Sequence, residues 1–399
     1  MKKYIARLSG ISRELKLFIG ASLAMGMAYS IVDATFNNYL NERFGLTAFQ
    51  RSFLEFPREL PGFLVVFVSA SLWFLCSRRQ SAVAMILSAL GAFLIGFASP
   101  AYMIMVAWLF IYSAGQHLFM PLSSTIGMEL AKEGKTGERL GQLNAVRNVA
   151  VIAGSLLVII GFKYMGITFY HTFALSVVAF ASGAILMFMM KPERVHKPKE
   201  HLKLYKEYRL YYLLAVLYGS RKQVFLTFGP WVLVTVFHQP TQTIATLFMI
   251  GAAIGILFQP FLGRAIDELG ERFVLLSEAA LLIFVCLGYG FSKFLMAENI
   301  AFIVVCVCFL LDQMLMSVNM ARATYMKKIA LDNSHVQPAL TSSVTLDHLF
   351  SITVGLLGGV IWDALGFQYV FLLGALIAVC NFFAALRIRI PEVKHVISR

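Results

Sequence analysis

Two adjacent cations, Arg221 and Lys222, sit midway along an almost unbroken apolar stretch, Leu210 to Phe237. The stretch is long enough to cross a bilayer, which takes about 20 helical residues at roughly 1.5 Å each. Each charge at the centre of such a helix costs about 2.5–3.5 kcal/mol on insertion scales. Both are too far from either end for their side chains to reach the interface. Cations kept there face a water-filled cavity or pair with acids, and Asp33, Glu59, Asp312 and Asp347 lie in other apolar segments. The chemistry open to Arg221 and Lys222 is recognition of an anion, because a carboxylate or phosphate offsets the cost of dehydrating them. Neighbours on a helix diverge by about 100°. One cation is therefore expected at the cavity and the other on an acid. Tyr218, one turn earlier, is placed to join the substrate site or simply to pack. The competing expectation is an ion pair between helices with a purely structural role.

Further polar residues extend the set. Gln116-His117 and Asp312-Gln313 lie inside apolar runs, and Asp347-His348 sit deep in another. Gln116, His117 and Gln313 join the substrate-binding candidates, although a lone histidine more often packs. Asp312, Asp347, His348, Asp33 and Glu59 are candidate proton carriers. Glu55, Arg58 and Glu59 share one helical face at spacings i, i+3 and i+4. Arg58 is expected to pair with Glu55 or Asp33, or to serve an outer gate. Nothing points to an enzyme or a bound cofactor: there is no metal-ligand cluster, nucleophile elbow or phosphate-binding Gly-x-x-x-x-Gly-Lys-Ser/Thr loop.

The elements that must position these residues are membrane-spanning helices. Hydrophobic residues make up 59% of the 399 and charged residues 14%, too few to coat a soluble protein of this length. The net charge of +13 does not signal nucleic acid, because the basic residues fall in short loops between apolar runs. Lys and Arg concentrate at the N-terminus, 78–79, 132–139, 191–209, 264–272, 322–328 and the C-terminal tail. The alternate loops hold only Arg43, Arg51, Lys163 and Lys293. That alternation places both termini in the cytoplasm and gives about twelve spans; a bacterial-type inner membrane is the expected location. The expected spans are 15–40, 51–75, 82–97, 101–130, 140–162, 167–190, 210–237, 241–266, 273–291, 300–325, 341–362 and 369–388. Residues 191–209 form a basic cytoplasmic linker able to meet anionic lipid headgroups. The five cysteines lie in or beside apolar runs and read as small apolar filler.

The chain also repeats itself. At an offset of 200, Leu143–Leu186 aligns with Ser343–Leu386, matching Gly166 to Gly366 and Ala184 to Ala384. Pro192-Glu193 matches Pro391-Glu392, and upstream Gln116 meets Gln313 and Gly62 meets Gly255. So long a period indicates duplicated halves, here 1–190 and 210–399. Duplicated halves suit a transporter whose site lies near the midplane. Arg147 falls opposite Asp347, with the charge sign reversed.

The loop Gly263-Arg264-Ala265-Ile266-Asp267-Glu268-Leu269-Gly270-Glu271-Arg272 resembles the Gly-x-x-x-Asp-x-x-Gly-x-Arg signature of the major facilitator superfamily. With the span layout and the repeat, the resemblance covers essentially the whole chain. It implies an all-α membrane protein of two pseudo-symmetric six-helix bundles joined by the linker. It also implies a gating role for Gly263, Asp267, Gly270 and Arg272, in which Asp267 is expected to meet a helix N-terminus or Arg139 or Arg147 at the start of the fifth span; Arg58 is a gating candidate on the outer side. The equivalent first-half positions read Ala70, Phe74, Ser77 and Arg79, so the acid is missing there. The expected function is a monomeric, proton-coupled secondary transporter of a small organic anion, working by alternating access. Proton-coupled efflux of amphipathic drugs and a transport-inactive sensor are the alternatives.

Overall fold

A computed structural model describes residues 12–72, 74–132, 136–193 and 203–389. The basic residues Lys2, Lys3 and Arg7, linker residues 194–202 and Pro391-Glu392 lie outside the described residues, as does the side chain of Ala70. Among the described residues the secondary structure is entirely helical. Nine helices there are long and apolar enough to cross a membrane. The chain divides into two compact units. Unit 1 is Met1–Pro198 with Pro230–Ile256, and unit 2 is Lys199–Gly229 with Leu257–Arg399.

Helix α1 (Arg13–Phe44) starts where the Ser12 hydroxyl accepts from the Leu15 amide, and stops at Gly45 in the left-handed region. The expected second span is broken. Thr47 and Gln50 form a capping box that starts α2 (Ala48–Phe53), and α3 (Glu55–Ser71) follows after Leu54. The cause is Pro57, which has no N–H to give the Phe53 carbonyl, so the helical ladder lapses at that point. Then come α4 (Ser77–Phe97), α5 (Tyr102–Glu129), α6 (Thr136–Tyr164) and α7 (Phe169–Met189). Tyr29, Tyr112 and Phe180 meet edge-to-face and join α1, α5 and α7. At one end of unit 1, Arg78 gathers Glu14, Glu129 and Glu193 and also donates to the Lys191 carbonyl. One guanidinium thereby ties α1, α4, α5 and the segment after α7 together.

The later helices are α8 (Arg209–Thr235), α9 (Thr241–Leu295), α10 (Glu298–Met316), α11 (Asn319–Ile329), α12 (Val336–Leu365) and α13 (Phe367–Leu386). The expected spans 241–266 and 273–291 both lie in α9. At 1.5 Å per residue this element would be about 80 Å long against a hydrocarbon layer of about 30 Å. Gly270, at φ 83° and ψ 160°, breaks it into two legs. The expected span 300–325 is interrupted at Ser317-Val318, where amides reach back three residues instead of four. The repeat is visible in the elements: α6 and α12 start 200 residues apart, and positive-φ Gly166 and Gly366 follow them.

Gly270 occupies a backbone region that a side chain enters only with strain of about 1–3 kcal/mol. Gly270→Ala is expected to lower the thermal unfolding midpoint, whereas Gly263→Ala, with open space around its Cβ position, leaves it unchanged. Differential scanning fluorimetry of the two purified variants decides this.

Candidate functional site

The ionic core of unit 2 starts from α8. Arg221 and Lys222 point to different neighbours, as adjacent helical positions must. Arg221 Nη1 donates to Asp312 Oδ1 on α10 at 2.6 Å, and Nη2 donates to Glu278 Oε1 on α9 at 3.1 Å. The other oxygen of Glu278 takes Arg322 Nη2 from α11 at 2.6 Å. These four side chains are dry, with exposures of 1–4%. Tyr218 lies beneath them, its ring 5.4 Å from the Arg221 guanidinium and 4.5 Å from that of Arg322. The electron-rich face thus supplies the cations with further compensation. The Tyr218 hydroxyl donates to the Met316 carbonyl, which fixes the ring at the break between α10 and α11.

Lys222 takes the other direction. Its Nζ donates to Asp347 Oδ2 on α12 at 2.8 Å. This pair is wetter, at 15% and 16% exposed. Ser351 Oγ, one turn along α12, lies 3.3 Å from Asp347 Oδ1 and 3.2 Å from the Gly219 carbonyl. Gly219 is required there, because a Cβ would collide with the Asp347 carboxylate. The sequence expectation of one cation on an acid and one at a cavity therefore resolves differently. Both are paired, and exposure singles out Lys222.

Unit 1 holds a second polar group. Arg51 and Glu55 pair at 2.6 Å in a fully buried position, and Arg51 Nε donates to Asn37 Oδ1 at 2.8 Å. Glu55 is therefore committed to Arg51, while Arg58 faces Asp33 at 3.6 Å. Arg147 on α6 acts on Asp33 electrostatically. Ser113 on α5 donates to the Arg58 carbonyl and meets His117 Nδ1 at 3.0 Å. Glu59 is buried and Gln116 is half-buried. In unit 2, Gln313 is half-buried beside Asp312, and His348 is buried. At the break in α9, Asp267 and Arg272 are exposed; the buried acid is Glu271, held by Lys328 at 2.7 Å.

Sequence reasoning missed Glu278 and Arg322. Glu278 is a lone acid in the apolar run Val274–Leu282, a signal of the same kind that exposed Asp312. Arg322 was hidden in the basic run 322–328, whose other members suit a loop.

A helical membrane protein with paired charges inside its spans is the class these features define. The family model of the Major Facilitator Superfamily matches residues 18–346, and the chain belongs to that family. No curated protein matches it by sequence. Solved structures establish the same fold. A nucleoside transporter, NupG, is 14% identical with a TM-score of 0.71, over 95% of this chain and 100% of that one. A D-xylose–proton symporter is 15% identical with a TM-score of 0.68, over 93% and 95%. A bacterial homologue of the iron transporter ferroportin in an inward-facing state is 12% identical with a TM-score of 0.70, over 94% and 98%.

Glu278 is the only ion-pair partner of Arg322 among the described residues, and it shares Arg221. Breaking such a buried pair costs about 3–5 kcal/mol. Glu278→Gln is expected to lower the thermal midpoint strongly, while Asp267→Asn at the exposed turn leaves it within a degree or two. Equal midpoints for wild type and Glu278→Gln would contradict the role given to this carboxylate.

Proposed function

We propose that the chain is a proton-coupled secondary transporter that moves a small organic anion by alternating access. One observation carries the reading: the Lys222–Asp347 pair is accessible in part, while its neighbours are dry. Unit 2 balances Arg221, Lys222 and Arg322 against Glu278, Asp312 and Asp347. With the charges matched, an incoming anion finds no uncompensated cation. A proton added to Asp347 removes one negative charge and leaves Lys222 positive, and a monoanion then restores neutrality. Release of the anion on the other side lets Lys222 return to Asp347 and expel the proton. Proton and anion thus travel together because neither is stable in the site alone. Ser351 and Gly219 hold the Asp347 carboxyl in place through the exchange.

Asp312 is the second candidate, since it stands in the same relation to Arg221, but its dryness suits a structural load better. Tyr218, Gln313, Gln116 and His117 remain candidates for substrate contact. The turn at Gly263, Asp267, Gly270 and Arg272 belongs to the gate. In this reading the halves 1–190 and 210–399 are the moving bundles, and 191–209 is a cytoplasmic linker. The chain is a monomer in the inner membrane with both termini inside. A proton symporter among the structures of the same fold makes this coupling chemistry compatible with the architecture.

The test uses proteoliposomes and a panel of radiolabelled carboxylates and phosphates. Asp347→Asn is expected to abolish pH-driven accumulation, by tenfold or more, while substrate exchange across a pre-loaded membrane continues. Lys222→Gln is expected to lose both. Full pH-driven accumulation by Asp347→Asn would overturn the assignment.

A further inference from the structure

The Asp33–Arg58 pair of unit 1 differs from the other ion pairs inside the spans. Those close at 2.6–3.1 Å with little exposure. Asp33 and Arg58 stand 3.6 Å apart, with 40% and 21% of their side chains exposed. That separation exceeds a hydrogen bond, and no hydrogen bond engages either side chain among the described residues. A carboxylate and a guanidinium therefore face each other with their bonding capacity in reserve.

The scaffold keeps them so. Glu55, one turn before Arg58, is committed to Arg51, which is anchored in turn by Asn37. The Arg58 backbone is fixed by the Ser113 hydroxyl. The surroundings add no net charge: Arg51, Arg58 and Arg147 are matched by Asp33, Glu55 and Glu59. A ligand of either sign would unbalance this group, whereas one carrying both signs would not. Tyr112 adds a further polar group nearby. Its hydroxyl is buried without a hydrogen-bond partner and lies within electrostatic reach of Asp33 and Arg58. Its ring packs with Tyr29 and Phe180 into an aromatic wall.

We propose that Asp33 and Arg58 form a binding subsite for a small zwitterion of the amino-acid type. Its ammonium lies on Asp33 and its carboxylate on the Arg58 fork. This goes beyond the transport reading: a zwitterion carries no net charge and is a different ligand from the monoanion taken at Lys222. It rests on that reading for transport, but not for binding.

The experiment is isothermal titration of the purified full-length protein with the common α-amino acids and short dipeptides. Each zwitterion that binds is compared with its desamino acid and its decarboxylated amine. At least one zwitterion is expected to bind, and loss of either charged group weakens it tenfold or more. Asp33→Asn is expected to erase the preference for the zwitterion over the desamino acid. Arg58→Gln erases the preference over the amine, and Asp33→Glu and Arg58→Lys restore part of each. The thermal midpoint of every variant is measured alongside, and the conservative pair carries the test if the neutral variants unfold. Binding that survives Lys222→Gln supports a subsite independent of the coupling pair. The proposal is overturned if no zwitterion binds, if the desamino acid binds as well as the parent, or if binding disappears in Lys222→Gln but not in Arg58→Gln.

Discussion

A charge in the hydrocarbon layer must be matched or hydrated, and most of what distinguishes this chain follows from that constraint. α8 carries two cations at mid-height, and three other helices of unit 2 are arranged to answer them. α9 supplies Glu278, α10 supplies Asp312 and α12 supplies Asp347. α11 then adds Arg322, which Glu278 also answers. The helices are held by apolar packing, but the ions decide their register. Sliding α10 by one turn would carry Asp312 about 5.4 Å along the helix axis, away from Arg221.

The ion groups differ in how dry they are. The Arg221–Asp312–Glu278–Arg322 group has almost no contact with solvent and is clasped by the Tyr218 ring. Ions so deeply enclosed cannot change partners without exposing a bare charge, so this group acts as a rivet. Lys222–Asp347 and Asp33–Arg58 retain access to water, which lowers the cost of exchanging a partner for a proton or a ligand. Arg78 plays the riveting part at one end of unit 1 by holding three acids from separate segments.

Much of the helix layout was legible from apolar run length, because spans must satisfy their own backbone. Breaks inside runs were harder to see. Pro57 marks the interruption between α2 and α3, yet the apolar pattern passes straight through it. The Ser317-Val318 step has no proline or glycine to announce it. Lone charges in apolar sequence drew attention to Arg221, Lys222, Asp312 and Asp347, which the structure places in ion pairs. Their partnerships were not legible, since Lys222 and Asp347 are 125 residues apart and no local pattern links them. Arg322 escaped because a basic residue next to Lys327 and Lys328 looks like loop whichever side of the interface it occupies. In the family signature, Asp267 carries the pattern, while the buried acid at that turn is its neighbour Glu271.

The distance along the chain between those partners bears on how the protein is made. α8 is less apolar than the nine helices long and apolar enough to cross a membrane among the described residues, and both its cations are uncompensated until later segments emerge from the ribosome. Asp347 follows Lys222 by 125 residues, an interval of about 6–25 s at a synthesis rate of 5–20 residues per second. Throughout that time α8 carries two charges without their acids. The membrane integration of this chain is therefore completed late, when the last helices to arrive compensate one that was made well before them.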